Sequence, residues 1–297
     1  MGILYFFPFS FTMLSMNIFR IINTRFLILL LMLLSLPGLF VYSSISFAQH
    51  PTSTPEFIST HFDVPISDIE FIFIKGGCYQ MGDLWNEGSK DELPVHIVCV
   101  DSFYIGKYEI TQGQWKKMMG ENPSKFQQGD DYPVENISWN EAQEFISRLG
   151  SQGKSKYRMP TEAEWEYAAR LGHKTIKYAS ATGEISHDLC NFDDTEGKDK
   201  WDRTSPVGSF TPLNSGIHDM CGNVWEWVED SYKFDAYNKH SKFNPLITKE
   251  VSDRVIRGCG WSDDQEDCRV SYRDKIPQDC PVCSRRNDIG FRVVRER

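Results

Sequence analysis

The chain has 297 residues, about 25% of them charged, with 41 acidic side chains against 32 basic ones. This composition is typical of a globular protein, and the length predicts one large domain or two small ones. The net charge of −9 argues against nucleic acid as a partner, because surplus carboxylates repel phosphates.

Residues 1–48 have the pattern of an export signal. Their only two charges are arginines that precede the apolar run 26–34, and Ser-Phe-Ala at 46–48 fits the small-x-small rule for cleavage. We therefore predict a signal peptide that is cleaved before Gln49, with export to the periplasm or the extracellular space. The alternative is an uncleaved anchor, since 26–42 is nearly long enough to span a membrane. Such an anchor is the only membrane attachment that the sequence predicts.

Residues 49–68 contain three prolines among Ser and Thr and predict a linker that leads into a domain over 69–297. Regular structure is predicted to begin with an apolar strand at Phe71–Ile74, which ends before Gly76-Gly77, and to resume with a strand over 95–100. The intervening stretch 83–94 is polar and predicts a loop.

Three short helices are predicted from the same end signals. Each has a hydroxyl residue at the N-cap and Glu or Gln three positions later, a pair that satisfies free backbone donors on both sides. Each ends at glycine, which readily adopts the left-handed conformation of a helix stop. The predicted helices follow Thr111, Ser138 and Thr161 and end at Gly120, Gly150 and Gly172.

The C-terminal part, 173–297, is rich in Gly, Asp, Asn, Pro and Trp and predicts mostly ordered loop. Loops of this length need a reason to stay ordered, and disulfides and bound cations are the simplest ones. The chain has eight cysteines, an even number that favours disulfides in an oxidising compartment. Eight cysteines allow 105 pairings. Of these we favour Cys78 with Cys99, because they flank the predicted hairpin.

The segment 216–227 is the best candidate for a cation site. Calcium binds carboxylate and main-chain oxygens, and glycine-rich backbone lets several carbonyls point inward. Asp219 and Glu226 could supply the carboxylates. The carbonyl groups would come from Cys221, Gly222 and Val224. The alternative is structural, with both carboxylates capping turns and pairing with nearby arginines.

Several motifs stand in the order seen in the sulfatase-modifying-factor family, which includes the formylglycine-generating enzymes, and the chain resembles that family from about residue 71 to 294. The longest are Tyr157 to Arg170 (YRMPTEAEWEYAAR) and Gly222 to Trp227 (GNVWEW). Shorter ones are Met81-Gly82, Pro94-Val95-His96, Tyr108-Glu109-Ile110-Thr111, Pro133-Val134, Ser138-Trp139, Arg257-Gly258 and Gly290-Phe291-Arg292.

The resemblance implies a single α+β domain of C-type-lectin-like topology, low in regular structure and stabilised by calcium and disulfides. It implies that one calcium is bound by the set already named from Asp219 to Glu226. It implies a second calcium bound by the side chains of Asn191 and Asp199 and by the carbonyls of Phe192 and Trp201.

The family's activity is oxidation of a sulfatase cysteine to formylglycine, with oxygen and a copper(I) ion held by two cysteines five residues apart. Copper(I) prefers soft thiolates, so both sulfurs matter. Cys268 matches the second position and is the candidate catalytic residue, whereas Asp263 occupies the first. Copper is therefore a cofactor only if the chain is active. The alternative that we favour is a disulfide between Cys259 and Cys268, or Cys268 as a small buried residue.

Two functions remain from the sequence. The first is a formylglycine-generating oxidase that acts on a sulfatase. The second is a non-catalytic, calcium-stabilised module that binds a peptide, a glycan or an envelope partner through its C-terminal loops. The CxxC at Cys280 and Cys283 predicts a local disulfide or pairing to distant cysteines, since a zinc site would need further ligands.

Overall fold

The computed structural model describes residues 68–248, 252–278, 280 and 283–297. The predicted signal peptide and the linker up to residue 67 lie outside this range. All described residues belong to one compact unit. Within the described residues, no helix is both long enough and apolar enough to cross a membrane.

Ten short strands in the described part of the chain form three sheets. Sheet one has the order β1-β4-β10-β5, β2 and β3 form a hairpin, and sheet three has the order β8-β7-β6-β9, in which β6 and β9 are parallel. The strands are β1 Phe71–Ile74, β2 Gly77–Met81, β3 His96–Val100, β4 Phe103–Gly106, β5 Tyr157–Arg158, β6 Trp225–Ser231, β7 Asp253–Arg257, β8 Asp274–Pro277, β9 Ile289–Phe291 and β10 Val294–Arg295. Two short 3-10 turns lie at Lys90–Glu92 and Ala236–Asn238.

The predicted hairpin is present, and the first strand is at the predicted position. Cys78 of β2 lies directly opposite Cys99 of β3, and the two form a disulfide. Cys99 also pairs in parallel with Phe243, so that the chain around 243 lies along the outer edge of β3. The disulfide predicted between these two cysteines is confirmed, whereas strand β2 was not predicted from the sequence.

The three predicted helices are α1 Gln112–Met119, α2 Trp139–Ser151 and α3 Glu162–Ala169. All three begin with the reciprocal hydrogen bonds of a capping box, and α1 ends at left-handed Gly120 as predicted. The other two ends were predicted wrongly. Helix α2 continues through Gly150 and ends at Ser151. Helix α3 ends at Ala169, because the chain adopts the left-handed conformation at Leu171, before it reaches Gly172.

The prediction that 173–297 is mostly loop is confirmed for the described residues, but the sequence did not predict the short strands of sheet three. Strand β6 is buried on both faces over Trp225–Val228, since β7 and β9 flank it and the core covers both sides. A strand buried on both faces lacks the alternation of polar and apolar residues that marks a half-exposed strand. The paired tryptophans therefore form a central strand.

Buried ion pairs connect helix α3 to sheet three. Arg273 binds both oxygens of Glu162 at 2.7 Å, and Arg257 donates to Glu166 at 2.6 Å. All four side chains are at most 4% exposed. Removing one partner of such a pair would leave a buried charge without compensation, so these contacts fix how the helix sits on the sheet.

Candidate functional site

Glu226 lies at the centre of the first predicted calcium set and is fully buried. Arg292, beside β9, donates to both carboxylate oxygens at 2.6 and 2.7 Å, and the indole of Trp165 donates to Oε2 at 2.9 Å. The guanidinium also donates to the carbonyls of Gly106 and His218. Three of the roughly four acceptor positions of this carboxylate are therefore occupied by protein donors.

Two further carboxyl groups share this guanidinium. Asp219 accepts from the Gly208 amide at 2.6 Å, and Glu109 accepts from the Asn223 side chain at 2.8 Å. Burial raises the pKa of Asp219 to about 6 and holds the pKa of Glu109 well above its usual range, with further upward contributions from the neighbouring carboxylates. The raised pKa values mean that burial disfavours ionisation of these carboxyl groups, and a nearby cation would favour their charged forms.

The main chain of the first predicted calcium set lies close to that of the second set, at Gly222 and Asn191. The amide of Gly222 donates to the Gly258 carbonyl, and that of Val224 donates to Glu109. Gly222 has φ +86°, and a Cβ there would lie 2.0 Å from the Asn191 carbonyl oxygen. Only glycine allows this approach, which places the loop after residue 221 beside the loop at 191.

The second predicted set contains buried oxygens without partners. Asn191 Oδ1 and Asp199 Oδ2 have no hydrogen-bond partner among the described residues, although both side chains are at most 2% exposed. Burial raises the pKa of Asp199. The side-chain amide nitrogen of Asn191 donates to the Arg203 carbonyl, which fixes the direction of the side-chain oxygen Oδ1. A hard cation is the chemical partner that buried oxygens of this kind fit.

The other two members of the second set contact His187 and Asp199. Phe192 stacks on the ring of His187 at 4.1 Å, and the amide of Trp201 donates to Asp199 Oδ1 at 3.2 Å. His187 Nδ1 lies 3.7 Å from Asp199 Oδ2 and also has no hydrogen-bond partner within the described range. The residues present thus fit a cation better at this set than at Glu226, whose oxygens already have donors.

The position of the family's copper thiolates has a different chemistry here. Cys268 is bonded to Cys259 in a disulfide, one of the two alternatives that the sequence favoured. Asp263 accepts from the Trp225 indole at 2.7 Å and from the Gly260 amide at 2.8 Å. Burial raises the pKa of Asp263 to about 6, and the nearby Asp288 raises it further. Neither of the two positions presents a free thiol.

The remaining cysteines fall into two groups. Cys280 and Cys283 form a local disulfide, one of the two kinds of pairing that their spacing left open. Cys190 and Cys221 carry the free thiols of the described chain, and both are buried.

A cluster at the first residue of α3 was not predicted from the sequence. Ligand atoms of Glu162, Asp230 and His240 lie within 4.8 Å of one another. Asp230 accepts from two backbone amides, and Glu162 is already bound by Arg273. Nδ1 of His240 forms a hydrogen bond with Nε2 of His96 at 3.1 Å, whereas Nε2 of His240 has no partner among the described residues. No local sequence pattern connects these residues, which come from three separate elements.

Arg292 and Glu109 were also not predicted to be functional residues, although both stand in motifs that resemble those of the family. Their partners lie 66 and 114 positions away along the chain, at Glu226 and Asn223. A buried arginine next to β9 could have been paired with a buried carboxylate in principle, because such charges are rarely left alone. The sequence did not indicate which one.

The geometry defines an α+β domain whose short strands and long loops are tied by buried ion pairs and disulfides, with the loops at 191 and 222 side by side. A family profile described as "Sulfatase-modifying factor enzyme 1-like domain" matches residues 63–297. The chain therefore belongs to the sulfatase-modifying-factor family, and its fold is the C-type-lectin-like fold of the formylglycine-generating enzymes.

Three similar proteins illustrate the range of this family. "Chaperone protein LppX" of Paenibacillus barcinonensis is 28% identical over 285 residues, which covers 80% of this chain and 93% of that protein. The formylglycine-generating enzyme of Mus musculus is 27% identical over 290 residues, covering 77% of this chain and 76% of the enzyme. The solved structure of PvdO from Pseudomonas aeruginosa has a TM-score of 0.70 at 28% identity and covers 80% of this chain and 98% of PvdO.

Proposed function

We propose that this chain is an exported, calcium-stabilised binding module of the family that does not oxidise cysteine. The observation that carries the proposal is the state of the two thiolate positions. Copper(I) needs soft sulfur ligands, but Cys268 is already bonded to Cys259, and Asp263 offers a hard carboxylate that is held by Trp225. The disulfides support export, because such bonds persist in oxidising compartments.

Calcium is the second part of the proposal. The unpartnered oxygens of Asn191 and Asp199 would hold the ion, together with the carbonyls of Phe192 and Trp201. The carboxyl groups near Asp219 would favour a second ion through the carbonyls of the neighbouring loop. When bound, calcium would supply positive charge that fastens two loops against each other and would take no part in a reaction.

A polypeptide is the partner that the observations favour. The likeness to LppX covers most of both chains, and that protein is named as a chaperone. The outer face of the β2–β3 hairpin also exposes apolar side chains: Ile97 is 48% and Phe243 is 66% exposed. The pairing of Cys99 with Phe243 places them on the same face, since side chains two residues apart in a strand point the same way.

We call this surface the hairpin face, formed by Cys78, Gln80, Ile97 and Phe243. A cavity of about 220 Å³ opens beside it and is lined by Ile97, Leu84 and the cationic residues Arg170 and Lys174. The strand spacing suits an extended segment whose apolar side chains alternate, and the cavity would accept one of them. Such a surface would hold an unfolded or extended polypeptide.

Aggregation of citrate synthase diluted from guanidinium chloride tests this function by light scattering. We expect the chain to suppress aggregation and the double variant Ile97→Thr/Phe243→Ser to lose most of that effect. Phe234→Ser is the matched control, because Phe234 is 59% exposed but is not part of the hairpin face. Absence of suppression by the unaltered chain, or full suppression by the double variant, would overturn the assignment.

Calcium is tested separately through thermal unfolding with and without a chelator. Chelation should lower the melting temperature of the unaltered chain, and it should lower that of Asp199→Ala less, because only the ion near Asp219 remains in that variant. Asp202→Ala removes an exposed carboxylate of the same loop and should keep the full response. A melting temperature that does not change on chelation would refute the calcium site.

A further inference from the structure

The free thiols of Cys190 and Cys221 lie against each other in the interior. Both residues are almost completely buried, at 1% and 4% exposure, and the Cys221 thiol donates to the Cys268 carbonyl. The other six cysteines all form disulfides. These two are therefore the remaining pair in a chain whose other thiols are oxidised.

The backbone around the two thiols has the spacing of a disulfide. The next residues along, Asn191 and Gly222, form a parallel bridge, and the Asn223 amide donates to the Asn191 carbonyl at 2.8 Å. Parallel neighbours lie about 4.7–4.9 Å apart, which places Cys190 beside Cys221. This separation falls within the roughly 4.4–6.8 Å that disulfides span between Cα atoms.

We propose that Cys190 and Cys221 are an oxidation site and form a fourth disulfide in the mature protein. The oxidant is a disulfide, either that of a dithiol oxidoreductase or glutathione disulfide. One thiolate attacks it to give a mixed disulfide, and the second thiolate then displaces the leaving thiol. Overall, two thiols lose two protons and two electrons, and the oxidant's S–S bond is reduced to two thiols.

The exchange must take place while the chain folds. Neither sulfur can meet an oxidoreductase in the folded protein, because both side chains are almost completely buried. Once formed, the bond is protected from reductants for the same reason. The folded protein should therefore keep whichever state it acquired during export.

The disulfide would also act on the calcium sites, a consequence that rests on the calcium binding proposed above. It closes a loop of about 30 residues that contains Asp199 and Asp219, and it joins the positions directly before Asn191 and Gly222. Donors that are already held together lose less entropy when they bind an ion. The oxidised chain should therefore bind calcium more tightly than a chain without the bond.

Disulfide mapping tests the bond directly. The full chain is exported by a host with an oxidising compartment, purified without reductant, denatured and alkylated with iodoacetamide. We expect both thiols to be unlabelled, and digestion to give a peptide that links Cys190 to Cys221. Labelling of both residues, with Cys78–Cys99 and Cys259–Cys268 still intact, would overturn the proposal.

Calorimetry with calcium tests the coupling. Cys190→Ala/Cys221→Ala should bind calcium about tenfold more weakly than the oxidised chain, because its loops are no longer held together. Cys280→Ala/Cys283→Ala removes a disulfide elsewhere and should keep the original affinity. Equal affinities in all three proteins would refute the coupling. If none of them binds calcium, the calcium proposal fails, and the mapping alone decides the bond.

Discussion

Glu226→Gln is the substitution that probes the centre of the molecule most directly. It keeps the shape of the side chain and one acceptor for the Trp165 indole, but it removes the charge that compensates Arg292. Both members of this pair are 0% exposed in their side chains. Breaking a buried pair while one charge remains typically costs about 3–5 kcal/mol, and we expect a loss of that size in the free energy of unfolding.

The loss is large enough to measure by urea denaturation and by thermal unfolding. In a domain of this size, about 1 kcal/mol corresponds to about 2–4 °C, so the melting temperature should fall by about 6–20 °C. Both experiments are done with a chelator present, so that any loss of calcium binding does not contribute. Glu144→Gln is the control, since Glu144 pairs with Arg148 at the surface and the change should cost less than about 0.5 kcal/mol.

A double-mutant cycle separates the pair from the rest of the core. Arg292→Met alone leaves the Glu226 carboxylate unpaired, whereas Glu226→Gln/Arg292→Met removes both charges of this pair. The double variant should therefore be more stable than the sum of the two single losses predicts, by at least about 1 kcal/mol. Strict additivity, or a loss for Glu226→Gln as small as that of the surface control, would refute the buried ion pair as described.

Three further predictions concern other parts of the chain. Burial raises the pKa of Asp230 to about 7, above the roughly 3.9 of an unfolded chain, so its contribution to stability is present at low pH and is lost as pH rises from about 4 to 7. Asp230→Asn should remove that decline in urea titrations, and an unchanged pH profile would contradict it. The double substitution Asp263→Cys/Cys259→Ser should leave free thiols at positions 263 and 268 and should bind copper(I) in competition with bathocuproine. Cys259→Ser alone should bind copper(I) much more weakly. Thr161→Ala removes the N-cap acceptor of α3 and should cost about 1 kcal/mol in thermal unfolding, while Thr161→Ser should cost little; equal losses would argue against the cap.

Local chemistry made the helix starts predictable. A capping box is complete within four residues, so the sequence alone identified the N-caps Thr111, Ser138 and Thr161. The hairpin disulfide was predictable for the same reason, since Cys78 and Cys99 flank one turn. Helix ends were less certain, because Gly150 sits in a helix whose length is set by packing of its apolar face.

Long-range contacts were beyond the sequence. Strand β6 was not recognised because both of its faces are buried, and the residues that bury them come from distant parts of the chain. The partner of Glu226 could not be chosen either, since several arginines were available and Arg292 is 66 positions away. For the same reason, the composition of segment 216–227 indicated a cation site without indicating that a guanidinium already holds its carboxylate.

The proposed function is that the chain binds a polypeptide and does not oxidise a sulfatase cysteine. One incubation tests the second part directly. The protein is loaded with copper(I) and given oxygen and a Cys-x-Pro-x-Arg sulfatase peptide, and the peptide is followed by mass spectrometry with an active formylglycine-generating enzyme as the positive control. We predict that the peptide keeps its cysteine over many turnovers of the control enzyme. Conversion of that cysteine to the aldehyde by the unaltered chain would contradict the account.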